Sequence, residues 1–243
     1  MSLGLIWLVT ALAYSGVYTA EFVWDDFPLV VDNPLTSSFS HASEWFVSDL
    51  WRGLGSEGFE SGFYRPLVLA SFAVDRVVLG GEPGLAHLHS LLWHLGVIAL
   101  LFGLLVRLFG RAEALVGATF FALHPVQSEA VVWVAARNDL MSAFFLLGSL
   151  WFLLNRRPSK LFLVLGGVGF FLALLSKESS LLGGAFLFFL DRARWGPGGI
   201  HGPLRYMSLG IAASLWLWLR FSAGVQTADL DLGTGASLMM ENG

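Results

Sequence analysis

Seven apolar runs, separated by short polar turns, set the limits on what this chain can become. They cover residues 3–20, 85–109, 112–123, 140–154, 161–175, 181–190 and 204–221. A helix crosses the hydrocarbon of a bilayer with roughly 20 apolar residues at about 1.5 Å rise each. The shorter runs need a thin bilayer, flanking residues or burial within a bundle. The first run has the length of a signal peptide, but no Lys or Arg precedes it and further runs follow. Of 243 residues, 56% are hydrophobic and 13% charged, against about 25% charged in soluble domains. The 21 Phe and 10 Trp suit lipid-facing and interfacial positions. The expectation is all-α: a polytopic transmembrane helix bundle of seven spans, one domain over residues 1–243.

Charge gives the orientation. If the N-terminus is cytoplasmic and the spans alternate, the inner turns carry Arg107, Arg111, Arg156, Arg157, Lys160, Arg192, Arg194 and Arg205. Their acids are Glu113 and Asp191, and all the others fall outside. Basic residues gathered in short inner loops satisfy the positive-inside rule. The segment 21–62 and the tail 222–243 are then extracytoplasmic, and the Gly/Pro-rich stretch 196–202 is an inner loop.

Several function classes drop out. There is no cysteine, hence no disulfide framework, thiol site or Cys-zinc site. A net charge of -4 gives no nucleic-acid signature. No phosphate-binding glycine loop, dinucleotide fingerprint or nucleophile-elbow motif occurs. No internal repeat and no low-complexity run is present.

Four outer segments carry concentrated polar chemistry: residues 21–28 with Asp25 and Asp26, 64–67 with Arg65, 124–129 with His124 and Glu129 leading to Arg137 and Asp139, and 176–179 with Lys177 and Glu178. Ionisable groups at membrane depth are costly and tend to mark function. Adjacent carboxylates repel, so one of Asp25 and Asp26 can serve as a base. They also have the oxygens a divalent cation takes, or they sit solvated at a helix end. Lys177 and Glu178 equally suit a local ion pair, Arg137 and Asp139 an anchor for the fourth span, and His124-Pro125 a helix stop.

Residues 64–79 place Arg65 and Arg76 on one azimuth, with Ser71 and Asp75 completing a polar arc. That pattern predicts an amphipathic helix lying in the interface. An eighth span there would invert everything downstream and spoil the charge asymmetry. His87, His89 and His94 lack any metal-ligand pattern and read as hydrogen-bonded interfacial histidines.

These motifs, in this order, resemble the polytopic C-type glycosyltransferases. The nearest likeness is to the transmembrane and tetratricopeptide-repeat O-mannosyltransferases and their bacterial relatives. Trp24-Asp25-Asp26 with Asn33-Pro34 resembles that group's first outer loop. Phe63-Tyr64-Arg65-Pro66-Leu67 is similar to its S-Y-R-P-L, and His87 and His94 to its paired histidines. Residues 123–131 resemble L-H-P-V-H-T-E-A-V, Arg137-Asn138-Asp139-Leu140 resembles G-R-x-D-L, and Ser176-Lys177-Glu178 matches S-K-E. Gln127, Ser128 and Ser90 depart from the usual His, Thr and Asn. Members of this fold generally carry more than seven spans, and many add repeats. The expectation is therefore a shortened, fragmentary or split form.

The resemblance implies a sugar taken from a polyprenyl-phosphate donor and passed to a protein or glycan acceptor on the non-cytoplasmic side of a bacterial inner or plasma membrane. It makes Asp25 the first candidate for the base, with Asp26 as alternative or orienting partner. Arg65, Arg137 and Lys177, with His124, become candidates for the donor phosphate, and Glu129, Asp139 and Glu178 supporting groups. It requires no metal, although a divalent cation fits the acidic pair. Two other classes remain: a non-catalytic membrane scaffold, and a transporter or flippase with these charges along its pathway.

Overall fold

A computed structural model describes residues 2–52, 61–155, 158–195 and 203–225, and it contains no β-strand among them. The α-helices are α1 (Leu3–Ala13), α2 (Ala42–Trp45), α3 (Pro66–Val77), α4 (Pro83–Leu108), α5 (Arg111–Leu123), α6 (Gln127–Val132), α7 (Arg137–Leu153), α8 (Lys160–Ser176), α9 (Gly183–Trp195) and α10 (Pro203–Ser222). Each predicted run falls on a helix. The first is broken, because α1 ends at Ala13 and Ser15–Thr19 continue as a tighter 3₁₀ turn. Arg156, Arg157, the stretch 196–202, the tail from 226 and the side chain of Arg194 lie outside the described residues. Among the described residues, α4 alone is long and apolar enough to cross a membrane unaided, and α1 and α8 are shorter apolar helices.

Local chemistry sets the helix ends. Pro66, Pro83 and Pro203 sit in the first turns of α3, α4 and α10, where a missing N–H costs nothing. Ser159 caps α8 by accepting the Phe162 N–H. Gly110, at φ 116°, turns the chain between α4 and α5. Pro125 holds His124 in extended backbone, so α5 stops at Leu123.

The long helices alternate in direction. α4 packs between α5 and α7, α7 against α8, and α8 against α10, while α1 touches α4 and α5. Polar clamps close one end. Arg107, at the end of α4, donates to the carbonyls of Trp151 (2.8 Å) and Leu154 (3.0 Å) and to Asn155 Oδ1 (3.0 Å). Arg205, at the start of α10, pairs with Asp191 of α9 at 2.7 Å and donates to the Asn155 carbonyl at 2.8 Å. A core of Leu150, Leu153, Phe170, Leu174, Leu187 and Leu209 fills the space between α7, α8, α9 and α10. On the outside, Leu12, Val116, Phe120, Phe189, Ile211 and Phe221 are exposed. Large apolar groups outside and charges inside is the reverse of a water-soluble pattern.

The structure corrects the reading of residues 64–79. α3 forms as predicted, but its polar arc points inward, with Arg65, Ser71 and Asp75 all buried. Its apolar side is buried too. Val68, Leu69, Phe72 and Ala73 pack against Leu29, Val30, Leu35, Trp45 and Leu50 from the preceding segment. That segment is tied down by the Trp45 Nε1 bond to the Leu35 carbonyl (2.8 Å) and by Arg76 to the Asn33 carbonyl (2.6 Å). α3 is thus packed on both sides beneath a folded cap, rather than presenting its polar arc to water.

One close approach seats the 3₁₀ turn after α1 on the start of α4. A Cβ at Gly84 would collide with the Tyr18 carbonyl oxygen, whereas one at Gly16 would meet nothing within 4 Å. Gly84→Ala is therefore expected to cost about 1–3 kcal/mol and to lower the thermal midpoint in detergent, with Gly16→Ala as the tolerated control. Equal midpoints for the two variants would contradict the close contact.

Candidate functional site

The polar segments predicted from sequence gather at the end of the bundle opposite the Arg107 and Arg205 clamps. The first begins at a strained residue. Trp24 has φ 48°, the sole positive φ at a non-glycine position among the described residues, and such strain persists only where surroundings enforce it. Its ring is 81% exposed and stands edge-on to Trp133 at 6.1 Å. The kink separates the acidic pair. Asp26 is fully buried, its Oδ2 accepting the Val23 N–H (3.1 Å) and its Oδ1 the Ala135 N–H (2.7 Å). Asp25 stays partly exposed, and no hydrogen bond of its side chain occurs among the described residues. Burial lifts the Asp26 carboxyl above the ordinary range, opposed by its two N–H donors and by the nearby His87 and Arg137.

The Ala135 contact leads to Arg137, a fully buried cation at the start of α7. Its guanidinium donates to Asp75 Oδ2 (2.5 Å), Ser71 Oγ (2.8 Å), Ser90 Oγ (2.9 Å) and the Ala86 carbonyl (2.8 Å). The remaining Asp75 oxygen meets His89 Nδ1 at 2.7 Å. Trp93 Nε1–H donates to His89 Nε2 at 3.1 Å, so Nε2 carries no proton and Nδ1–H donates to Asp75. Arg137 and Asp75 thus form the charge pair, with neutral His89 as its lid. The predicted phosphate-binding role of Arg137 does not fit this burial, because its donors face protein groups.

The fourth motif meets the second and third. Glu178 accepts two bonds from Arg65, from Nε at 3.0 Å and NH2 at 3.2 Å. Next to it, Lys177 pairs with Asp139 at 2.5 Å. Lys177, Asp139 and Glu178 stay partly exposed, whereas Arg65 is buried against Glu178. His124 lies apart from them. It accepts the Val126 N–H and meets the Phe120 ring edge-on, as a helix stop would. Glu129 is exposed and, with Glu21 and Trp133, lines a cavity of about 550 Å³ beside the Trp24 turn. His87 reaches the Glu21 carbonyl (3.4 Å) and His94 the Ala122 carbonyl (3.2 Å). Among the described residues, no three His, Asp or Glu side chains converge as a metal site.

Sequence reading missed Ser71 and Asp75 as partners of Arg137, and it missed Arg220 altogether. Arg220 and Trp216 of α10 line a second cavity, of about 510 Å³, with Glu178. Asp75 was visible in the polar arc of α3, but nothing local told which way that arc would face. Arg220 stands near the end of an apolar run, where it reads as an interfacial anchor.

No protein-family model matches the chain, and no solved structure matches it. Among curated proteins it is similar to protein O-mannosyl-transferase TMTC3 of Mus musculus, 30% identical over 146 residues, which is 60% of this chain and 16% of the relative. It is similar to protein O-mannosyl-transferase TMTC4 of Mus musculus, 32% identical over 155 residues, 57% of this chain and 21% of the relative. A third relative is protein O-mannosyl-transferase tmtc2 of Xenopus laevis, 31% identical over 140 residues, 57% of this chain and 17% of the relative. The chain thus spans about a fifth or less of the length of the relatives it matches.

Two measurements probe this geometry. Asp75→Asn strands the Arg137 charge in the interior, at an expected cost of about 3–5 kcal/mol, whereas the double change Asp75→Leu with Arg137→Met recovers most of it. Equal stability of the single variant and the parent would contradict the clamp. For Asp26, the folded pKa lies above the unfolded one, so its titration favours the fold most at low pH. That contribution is full below about pH 4 and fades as pH rises through the folded value. The midpoint difference between the parent and Asp26→Asn is expected to shift against the parent from about pH 4 upward; a flat difference would contradict a raised pKa.

Proposed function

We propose that this chain is a multi-pass membrane glycosyltransferase that moves a sugar from a polyprenyl-phosphate donor to a hydroxyl of a protein or glycan acceptor. The names of its relatives favour mannose as the sugar and a protein as the acceptor. The observation that supports the proposal is the chain of contacts that ties the motif segments together at one end of an apolar-clad bundle: Asp26 with Ala135, Arg137 with Asp75, Asp139 with Lys177, and Glu178 with Arg65. Asp25, Arg65 and Lys177 come from residues before α3, from its start and from the end of α8. Their end of the bundle faces the non-cytoplasmic side in the orientation the positive-inside rule selects, and α1, α4, α5, α7, α8, α9 and α10 are its seven spans.

In this reading Asp25 takes the proton of the acceptor hydroxyl. The acceptor oxygen forms the new bond to the anomeric carbon, and the bond from that carbon to the phosphate oxygen breaks. The electron pair leaves on the phosphate, whose charge Arg65 and Lys177 stabilise. Asp26 holds the Trp24 turn in place from beneath, and Arg137 locks α3, α4 and α7 so that Arg65 and Asp139 are correctly spaced. Glu178 and Asp139 orient the two cations. Glu129, on the cavity beside Trp133, faces the acceptor, and His124 closes α5 at the rim.

Asp25→Asn preserves shape and removes the base. Transfer from a radiolabelled polyprenyl-phosphate sugar in membranes is expected to fall by about 100-fold or more. Transfer at the parent rate would remove Asp25 from the chemistry. Arg65→Ala and Lys177→Ala are expected to weaken use of the donor with the chain still folded.

A further inference from the structure

At the polar end the cations are committed and some of the acids are not. Arg65 pairs with Glu178, Arg137 with Asp75 and Lys177 with Asp139. Arg52 and Arg76 are spent on the carbonyls of Val47 and Asn33. Glu21 and Glu129 are left over. Both are exposed, and neither side chain has a hydrogen bond or ion pair among the described residues. They come from segments far apart in sequence, one just after the 3₁₀ turn Ser15–Thr19 and the other in α6. Yet they line one cavity, of about 550 Å³. A cleft walled by one sign of charge, with no cation of the protein's own to neutralise it, draws in a guest of the opposite sign.

The rest of the wall says what kind of cation fits. Trp133 lines the cavity, and the exposed Trp24 stands edge-on to it at 6.1 Å. Tryptophan faces attract ammonium and guanidinium groups. The indole N–H of Trp133 is buried and has no acceptor among the described residues; a carbonyl arriving with the guest would satisfy it. Ala20, Val23 and Val132 make the remaining surface apolar, and the Ser128 hydroxyl is already spent on the Pro125 carbonyl. A bare metal ion fits this wall poorly. It takes six or more oxygens, and among the described residues no three His, Asp or Glu side chains converge. The lining suits a cation on an apolar stem with an amide carbonyl close by, which is a Lys or Arg side chain of a peptide.

The cavity stands beside the proposed base. Val23, on its wall, is two residues before Asp25, so their Cα atoms are no more than about 7 Å apart. Trp24, whose ring meets Trp133, is the residue between them. Neither Arg65 nor Lys177 lines the cavity, which keeps it separate from the candidate phosphate cations.

We infer that this cavity selects the acceptor by charge: it takes the side chain of a Lys or Arg lying within a few residues of the acceptor hydroxyl in a peptide chain. The cationic head sits between Glu21 and Glu129 and against the tryptophans, with its stem on Ala20, Val23 and Val132. The hydroxyl rests on the transferase reading; the demand for positive charge rests on the geometry alone. Glu21, Glu129 and Trp24 are then specificity-determining residues that make and break no bond, and an acidic peptide is turned away by the same two carboxylates.

The test is direct binding to the purified full chain in detergent, read by tryptophan fluorescence. The probes are three short peptides that differ only in charge: a threonine flanked by lysines, by glutamines or by glutamates. The lysine peptide is expected to bind about tenfold tighter than the glutamine peptide, as two exposed ion pairs and one cation–π contact allow, and the glutamate peptide weakest of all. The preference is expected to shrink as sodium chloride rises from about 50 to about 500 mM. In the double variant Glu21→Gln with Glu129→Gln the lysine and glutamine peptides are expected to bind alike, at an unchanged thermal midpoint, because neither carboxylate has a partner to lose. Glu129→Lys is expected to bind the lysine peptide at least about tenfold more weakly than the parent does. It decides the matter if the double variant does not fold, and the peptide comparison in the parent decides it if neither folds. Equal affinity of the parent for the lysine and glutamine peptides, or parent-like selectivity in either folded variant, would overturn the site. So would calcium chloride displacing the lysine peptide more completely than sodium chloride of equal ionic strength. Binding involves no sugar. Charge-selective binding without transfer therefore refutes the transferase reading alone, and equal transfer to all three peptides refutes this site alone.

Discussion

The buried pair between Arg137 and Asp75 is the interaction on which the polar end of this structure depends. A guanidinium with no solvent contact must satisfy its donors within the protein. Here they go to Asp75, Ser71, Ser90 and the Ala86 carbonyl, so one side chain from α7 pins both α3 and α4. Four consequences follow from the chain connectivity. α3 must turn its polar arc inward. Ala135, two residues before the arginine, is delivered to Asp26. Asp139, two residues after it, is delivered to Lys177. Arg65, at the N-cap of the same α3, then meets Glu178.

Helices and their ends were the legible part of the sequence. Apolar runs at helical length, Pro66, Pro83 and Pro203 as starts, and His124-Pro125 as a stop are local signals, and local structure follows them. Chain order and the alternation of spans gave the expectation that the motif segments share one end; which side chains touch there was not legible. The facing of α3 was not. An amphipathic helix with Arg65, Ser71, Asp75 and Arg76 on one side is equally a surface helix and a helix wrapped around a buried cation. The choice is made by Arg137, 62 positions away from Asp75, and by a cap whose Leu35 and Trp45 cover the apolar side. The unequal fates of Asp25 and Asp26 were likewise illegible, because they arise from the left-handed backbone of Trp24. Arg220 escaped notice for a different reason: its burial against Trp216 and the Gly62 carbonyl is a property of space rather than of sequence.

The two ends of the bundle treat charge differently. At one, Arg205 and Asp191 are both fully buried and Tyr206 donates to the same carboxylate, an arrangement that closes the end and leaves nothing to react. At the other, Lys177 and Asp25 keep partial exposure, and the neighbouring Glu178 and Val23 each line a cavity. That contrast is what a transfer site needs: a rigid, internally neutralised frame beneath, and above it groups free to exchange a protein partner for a substrate.

The central claim is that the end bearing Asp25, Arg65 and Lys177 faces the extracytoplasmic side of a membrane. The absence of native cysteine makes one measurement decisive: labelling of single engineered cysteines by a membrane-impermeant thiol reagent in intact cells. Ser43→Cys, exposed on the cap, and Ala112→Cys, exposed in the first turn of α5 at the opposite end, report the two sides. The account predicts that the cysteine at 43 is labelled at once and the one at 112 only after permeabilisation. Labelling of the cysteine at 112 alone, or of both without permeabilisation, would contradict it.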